Sequence, residues 1–191
     1  MGHLIYSMMV SLDGYVADQQ GDFMWAVPDE EVLATVNEQT ATVGTYLYGR
    51  RMYELMHVWE TDPDIAGDSP GSQKYATLWQ QATKIVYSQR LDEVATQRTT
   101  LRRHFDPAEI RQLKETSTTN LTVDGPTLAA EAFRYDLVDE IHPIVCPIVV
   151  GAGLAFLPKV RLDLELLTSQ RFANGMVSLQ YRVNHCTKQR P

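Results

Sequence analysis

The chain has 191 residues, and its 24 acidic against 17 basic side chains give a formal charge of −7 and a pI near 5.2. With 44% hydrophobic and 21% charged residues it has a globular composition, and its length predicts one domain over residues 1–191, with a core that needs neither disulfides nor metals. The acidic balance excludes a dedicated nucleic-acid binder and a polybasic membrane patch, and nine Pro and eleven Gly are too few for a disordered chain.

Strands and helices are predicted to alternate. Residues 4–10 form a short apolar run that reads as a buried strand, and 15–22, with Gly and Asp, reads as a loop. Pro28-Asp29-Glu30-Glu31 places acids in a helical first turn, where the helix dipole favours them. Val32, Leu33, Val36 and Val43 then share one helical face. Residues 45–48 are a strand ending at Gly49, 50–57 a helix with Met52, Leu55 and Met56 for packing, and 61–72 a loop. A helix over 75–83 and a strand over 84–88 follow. Asp106-Pro107-Ala108-Glu109 is a strong helix start: a capping acid, proline at the first position and Glu where a capping box needs it. Residues 121–123 are a strand, and Asp124-Gly125-Pro126 turns into a helix over 127–135. The β-branched stretch 138–150 contains Pro143 and Pro147, which suggest an edge strand or a bulge. Residues 164–172 and 176–183 flank Ala173-Asn174-Gly175, a hairpin signal in which Asn-Gly supplies positive backbone angles. The fold class is therefore α/β: a mixed, mostly parallel sheet with helices on both faces and a C-terminal antiparallel hairpin.

In such a sheet ligands bind beyond the C-terminal ends of the parallel strands. Ser11-Leu12-Asp13-Gly14, Gly49-Arg50-Arg51, Ser88-Gln89-Arg90 and Asp124-Gly125-Pro126-Thr127 sit at predicted strand exits. Glycine admits close approach to the backbone, a helix start offers free N–H groups, and arginine adds charge. Each tripeptide alone is equally an ordinary turn. The last three, recurring along one rim, point to an extended, multiply phosphorylated ligand.

Other chemistries find no support. The sequence has no GxGxxG fingerprint, no GxSxG elbow, and no metal-ligand spacing among His3, His57, His104, His142 and His185. Cys146 lies in an apolar strand and reads as an inert core thiol; with Cys186 it fits a reducing cytoplasm. The first residues lack the charged start and cleavage site of a signal peptide. The apolar run 144–150 is too short to cross a membrane.

Several of these segments resemble one known family. Met9-Val10-Ser11-Leu12-Asp13-Gly14-Tyr15-Val16-Ala17 resembles the opening motif of the dihydrofolate-reductase-like superfamily, and within it the branch holding the C-terminal reductase domain of the bifunctional riboflavin-biosynthesis enzyme. Tyr48-Gly49-Arg50-Arg51-Met52 and Lys84-Ile85-Val86-Tyr87-Ser88 resemble its second and third strands and their exits. Leu121-Thr122-Val123-Asp124-Gly125-Pro126-Thr127-Leu128 resembles the strand and glycine turn that face the cofactor. Leu137–Ile141 and Pro147–Gly153 complete a likeness that spans about residues 4–183.

The resemblance implies a sheet of about eight strands, NADPH as cofactor, a small-molecule substrate and a homodimer. Gly49, Arg50, Arg51 and Met52 would meet the cofactor phosphates, and Ser88, Gln89 and Arg90 the adenosine end with its 2′-phosphate. Asp124, Gly125, Pro126, Thr127 and Leu128 would pass the diphosphate and nicotinamide, and Val16 and Ala17 would cover the nicotinamide. Where dihydrofolate reductases usually carry Gly-Gly, this chain has Asp124-Gly125. For the catalytic acid the alternatives are Asp29, which shares the apolar helical face, Glu30, by its count from Pro28, and Asp13, from the opening motif. Trp25 would wall the pocket. The expected activity is hydride transfer from NADPH to a C=N or C=O group of a pterin- or pyrimidine-like heterocycle. The rival is a non-catalytic NADP(H)-binding dimer acting as sensor or scaffold.

Overall fold

The computed structural model describes residues 1–184; His185 and Cys186 lie outside the described residues. In chain order the elements are β1 (Leu4–Ser11), β2 (Tyr15–Asp18), a 3-10 turn (Met24–Ala26), α1 (Glu30–Thr40), β3 (Val43–Gly49), α2 (Arg50–Met56), α3 (Val58–Thr61) and α4 (Pro63–Gly67). They continue as α5 (Pro70–Gln81), β4 (Thr83–Tyr87), β5 (Thr99–Arg102), α6 (Pro107–Thr116), β6 (Asn120–Asp124), α7 (Pro126–Arg134), β7 (Glu140–Cys146), β8 (Gly153–Ala155), β9 (Asp163–Arg171) and β10 (Val177–Asn184).

Eight strands form one sheet in the order β5-β4-β3-β6-β1-β7-β10-β9, and β2 pairs with β8 in a separate antiparallel ribbon. The strands from β5 to β7 run parallel, while β10 runs antiparallel to both its neighbours, β7 and β9. This is the α/β class expected. The helix starts are chemically specified. Ser69 Oγ accepts from Ser72 N ahead of Pro70, and Asp106 Oδ1 from Ala108 N ahead of Pro107.

The core divides by sheet face. Leu4, Tyr6, Leu47, Leu121 and Val123 pack with Ile110 of α6 and Ala129 and Ala132 of α7. On the other face Tyr46, Tyr48 and Val86 meet Trp79 of α5, whose indole N–H donates to Tyr48 Oη at 2.8 Å. A third cluster joins Val32 of α1 to Ile144 and Phe172.

The structure corrects several element assignments. Residues 15–22 begin with strand β2, and 61–72 contain α4 and the start of α5. Val43 opens β3 instead of lying on α1. Strand β5 escaped the hydrophobic pattern because its Thr-Thr-Leu-Arg carries one apolar residue. The stretch 138–150 yields a strand only to Cys146, and that strand is internal, between β1 and β10. Pro143 leaves a local gap in the ladder with β10, which keeps one register from Ile141–Tyr181 to Ile144–Ser178 but is not paired between them. In the hairpin only Gly175 has a positive φ, +88°; Asn174 instead accepts Met176 N at 2.9 Å.

Leu47 is wholly buried at the sheet centre. Leu47→Ala should lower the free energy of unfolding by roughly 2–5 kcal/mol, whereas Leu55→Ala, at a half-exposed site, should change it by less than about 0.5 kcal/mol. Urea unfolding of both variants checks this; equal losses would contradict the assigned core.

Candidate active site

The two central parallel strands part company early. β1 and β6 pair only at Leu4–Leu121 and Ile5–Thr122, whereas β1 and β7 pair over seven residues, from Ile5–Glu140 to Ser11–Cys146. Beyond Ile5 and Thr122 the sheet therefore opens, at the point where the strand order reverses. A groove of about 2090 Å³ runs through this opening, over the rim of β4, β3 and β6 and along the sheet face beneath α1.

All fourteen residues assigned by resemblance to the cofactor line this groove: Val16, Ala17, Gly49, Arg50, Arg51, Met52, Ser88, Gln89, Arg90, Asp124, Gly125, Pro126, Thr127 and Leu128. They arrive from three strand exits, after β3, β4 and β6, and from strand β2. Gly125 has φ +91° and precedes α7, whose N-cap makes no side-chain hydrogen bond, so the first amides of α7 stay uncapped at the groove. A Cβ at Gly125 would reach van der Waals contact with Met52 of α2, so it is the positive φ and not lack of space that favours glycine here.

The cations differ in availability. Arg50 is clamped by Glu54, with Nη1–carboxylate distances of 2.7 and 2.8 Å. Arg51 and Arg90 enter none of the ion pairs among the described residues. Ser88 Oγ accepts from the N–H groups of Arg90 and Leu91, and Arg103 donates to the Ser88 and Leu91 carbonyls, which fixes the 88–91 turn. The Ser88 hydroxyl hydrogen remains free to donate.

Asp124 does not face a phosphate as an exposed charge. Its side chain lies 8% exposed on the groove floor and accepts from Thr122 Oγ1 at 2.8 Å. Burial pushes its carboxyl up to about 7, opposed by the Thr122 hydrogen bond. Tyr6, Tyr46, Tyr48 and Tyr75 are pushed above the usual phenol range, chiefly by their own burial, with the Asp124 charge adding to it.

The four residues assigned to catalysis lie outside the groove lining. Asp29 caps α1, accepting from Val32 N at 3.0 Å. Glu30 is exposed near Gly71 of α5 instead of facing inward. Trp25 donates its indole N–H to Asp22 O and packs on the Val32–Phe172 cluster; its neighbours Phe23 and Ala26 touch the groove instead. Asp13 accepts from Gly151 N at 2.7 Å and Val150 N at 3.2 Å. Hydrogen bonding to Ser11, and then to these amides, holds its carboxyl below the usual range. Asp13 thus fastens the turn before β2 to the turn before β8, and that ribbon carries Val16 and Ala17 to the groove edge.

The sequence reading missed the floor. Glu140, His142 and Ile144 alternate along β7 with Ile141, Pro143 and Val145, and the first set lines the groove with Ser7 and Met9 of β1. Glu140 accepts from His142 Nε2 at 2.9 Å and His3 Nδ1 at 2.7 Å; these contacts, His142 foremost, lower its carboxyl to about 2. The period-2 pattern was available, but the two prolines and the β-branched run masked it. Among the described residues no cluster suits a metal ion, and no helix is long and apolar enough to cross a membrane.

The fold is dihydrofolate-reductase-like. Dihydrofolate reductase from Enterococcus faecalis complexed with NADP(H) aligns with TM-score 0.61 at 15% identity, over 96% of this chain and 98% of that one. A putative riboflavin biosynthesis protein from Shewanella sp. PV-4 aligns with TM-score 0.74 at 21% identity, over 96% and 99%. The uncharacterized protein YyaP of Bacillus subtilis (strain 168) is 25% identical over 190 residues, 95% of each chain. The RibD C-terminal domain model matches residues 2–178, and the chain belongs to that family.

The burial of Asp124 has a consequence for stability. Its folded pKa lies above the ordinary 3.8, so its contribution is most favourable below that value and is lost as pH rises through about 7. Asp124→Asn should therefore raise the melting temperature relative to the parent more at pH 8 than at pH 5, by several degrees. Thermal melts at the two pH values check this; an equal difference at both would contradict the buried, proton-holding carboxyl.

Proposed function

We propose that this protein is an NADPH-dependent reductase that transfers hydride to a C=N or C=O group of a small heterocyclic, pterin- or pyrimidine-like substrate. The observation that carries this reading is the convergence on one groove of three strand-exit turns, distant in sequence, with the Val16–Ala17 segment of β2 at its edge. Arg51 and Arg90 would bind the cofactor phosphates, aided by the uncapped amides of α7 and the hydroxyls of Ser88 and Thr127. Bound there, NADPH would supply the hydride. The Val16–Ala17 segment would exclude water from the reacting end, and the polar floor of Ser7, His142 and Asp124 would orient the substrate.

The residues fit such a group: two arginines that enter none of the ion pairs among the described residues lie on the same rim as an uncapped helix start. The net charge of −7 is no obstacle, because the cations concentrate where the anion would lie. The free, buried thiol of Cys146 fits a reducing cytoplasm. A homodimer is part of the proposal. Edge strand β9 is exposed along all nine residues and carries Leu164, Leu166 and Leu167, a liability that a second copy would cover. Light scattering should find two chains per particle, and Leu166→Asp should shift the mass toward one. A monomeric parent would contradict this part.

A second reading, a non-catalytic NADP(H)-binding sensor or scaffold, draws on one observation: the three acids that open α1 lie outside the groove lining. Binding of NADPH without turnover of any pterin or pyrimidine in a substrate panel would favour it.

Cofactor fluorescence tests the proposal directly. NADPH should bind well ahead of NADH, and Arg51→Ala or Arg90→Ala should shrink that preference about tenfold, the loss of one charge-assisted contact of about 1.4 kcal/mol. An unchanged preference in both variants would place the 2′-phosphate elsewhere, and no binding at millimolar NADPH would overturn the reading.

A further inference from the structure

We infer that Asp124 is the proton-carrying residue of the groove, its carboxyl protonated beside reduced cofactor and ionised beside oxidised cofactor. The inference rests on the cofactor reading above and goes beyond it by naming the acid.

Four observations carry it. First, Asp124 occupies the break in the sheet. It ends β6, two residues past the last β1–β6 pair, and Ser7 lies two residues past that pair on the facing strand. Ser7 is in turn paired with His142, so Asp124, Ser7 and His142 form the floor across three strands. Second, the groove is sorted by charge. Arg51 and Arg90, which enter no ion pair among the described residues, follow β3 and β4, whereas Asp124 lies on β6, toward β1 and the Val16–Ala17 segment. An elongated ligand whose 2′-phosphate meets the arginines and whose diphosphate meets the start of α7 leaves its reacting end toward β1 and the floor beside Asp124.

Third, Asp124 is built to change protonation state. One hydroxyl, Thr122 Oγ1, donates to Oδ1, and no cation among the described residues pairs with the carboxyl. Burial brings its titration near neutrality. Around it are Tyr6 of β1, Tyr46 and Tyr48 of β3 and Tyr75 of α5, all held neutral by their raised pKa values. The other titratable or charged groups of the groove nearby are His142 with Glu140 on β7, Arg50 and Arg51 on α2, and Glu131 on α7. Fourth, Asp29, Glu31 and Asp13 are engaged elsewhere, and Glu30 is exposed beside α5, outside the groove lining. That leaves Asp124 as the buried acid of the groove that is not already held ionised by a partner.

The substrate double bond takes a hydride, with its electron pair, at carbon and a proton at nitrogen or oxygen. The nicotinamide supplies the hydride and becomes cationic. Asp124 releases the proton and becomes a carboxylate, opposite in charge to the ring it faces, and it regains a proton from solvent when fresh reduced cofactor binds.

The test needs no substrate. NADPH and NADP⁺ affinities are measured between pH 6 and pH 8, by fluorescence for the first and by competition for the second. The phosphates are common to both ligands, so their titration cancels in the ratio of dissociation constants. That ratio, NADP⁺ over NADPH, should fall with rising pH, about tenfold for each unit separating the Asp124 pKa values in the two complexes. Asp124→Asn should flatten it. Thr122→Val, which removes the hydrogen bond that favours the ionised form, should move the midpoint to higher pH, and it serves if the first variant does not fold. A flat ratio in the parent protein overturns the inference and leaves the cofactor reading intact. The same slope in Asp124→Asn also overturns it, in favour of His142. Failure of both nucleotides to bind overturns the cofactor reading and this inference with it.

Discussion

Backbone pairing between β1 and β6 lasts for two residue pairs, and the architecture of the site follows from that limit. On either side the ladders are full: β3 with β6, and β1 with β7. Strands held firmly by their outer neighbours but released from each other leave a cleft in the middle of a rigid sheet. Turns at the ends of β3, β4 and β6 look into it from one side and the β2–β8 ribbon from the other. A site built this way is placed by the sheet, so its loops need only short reaches.

The cleft exposes what a continuous sheet would seal. Ser7, Thr122 and Asp124 are floor residues because the opening bares them, and a carboxyl at that position is costly to ionise. The protein tolerates the acid by giving it one hydroxyl donor and surrounding it with tyrosines that stay neutral. Elsewhere carboxylates act as fasteners: Asp29 on α1, Asp13 between two turns, and Glu31 on the amide of Ala173 in the β9–β10 hairpin. The same functional group thus serves as a clamp where amides surround it and as a titrating group where they do not.

The main strands and helices, the C-terminal antiparallel hairpin and the rim turns were legible in the sequence, whereas β2, α4, β5 and β8 were not. The legible elements depend on local signals: apolar runs, Pro and Asp at helix starts, and glycine at strand exits. The acids after Pro28 were ambiguous because helical spacing gives a face but not the rotation of that face. Capping chemistry decided the matter for Asp29, and Glu30 turned toward α5. The floor of the groove was hidden because its members come from β1, β6 and β7, which register brings together and no local pattern links. The buried state of Asp124 was equally invisible, since it depends on a face shared with Tyr46 and Tyr48 across β3.

The central claim is that one groove, opened by the β1–β6 break, takes a pyridine nucleotide with its phosphates toward the arginines and its reacting end over Asp124. A crystal structure of the protein with NADPH tests it most directly. The account predicts the 2′-phosphate within reach of Arg51 or Arg90, the diphosphate at the start of α7, and the nicotinamide between Asp124 and the Val16–Ala17 segment. Nucleotide bound in the reverse direction, or outside the groove, would contradict it.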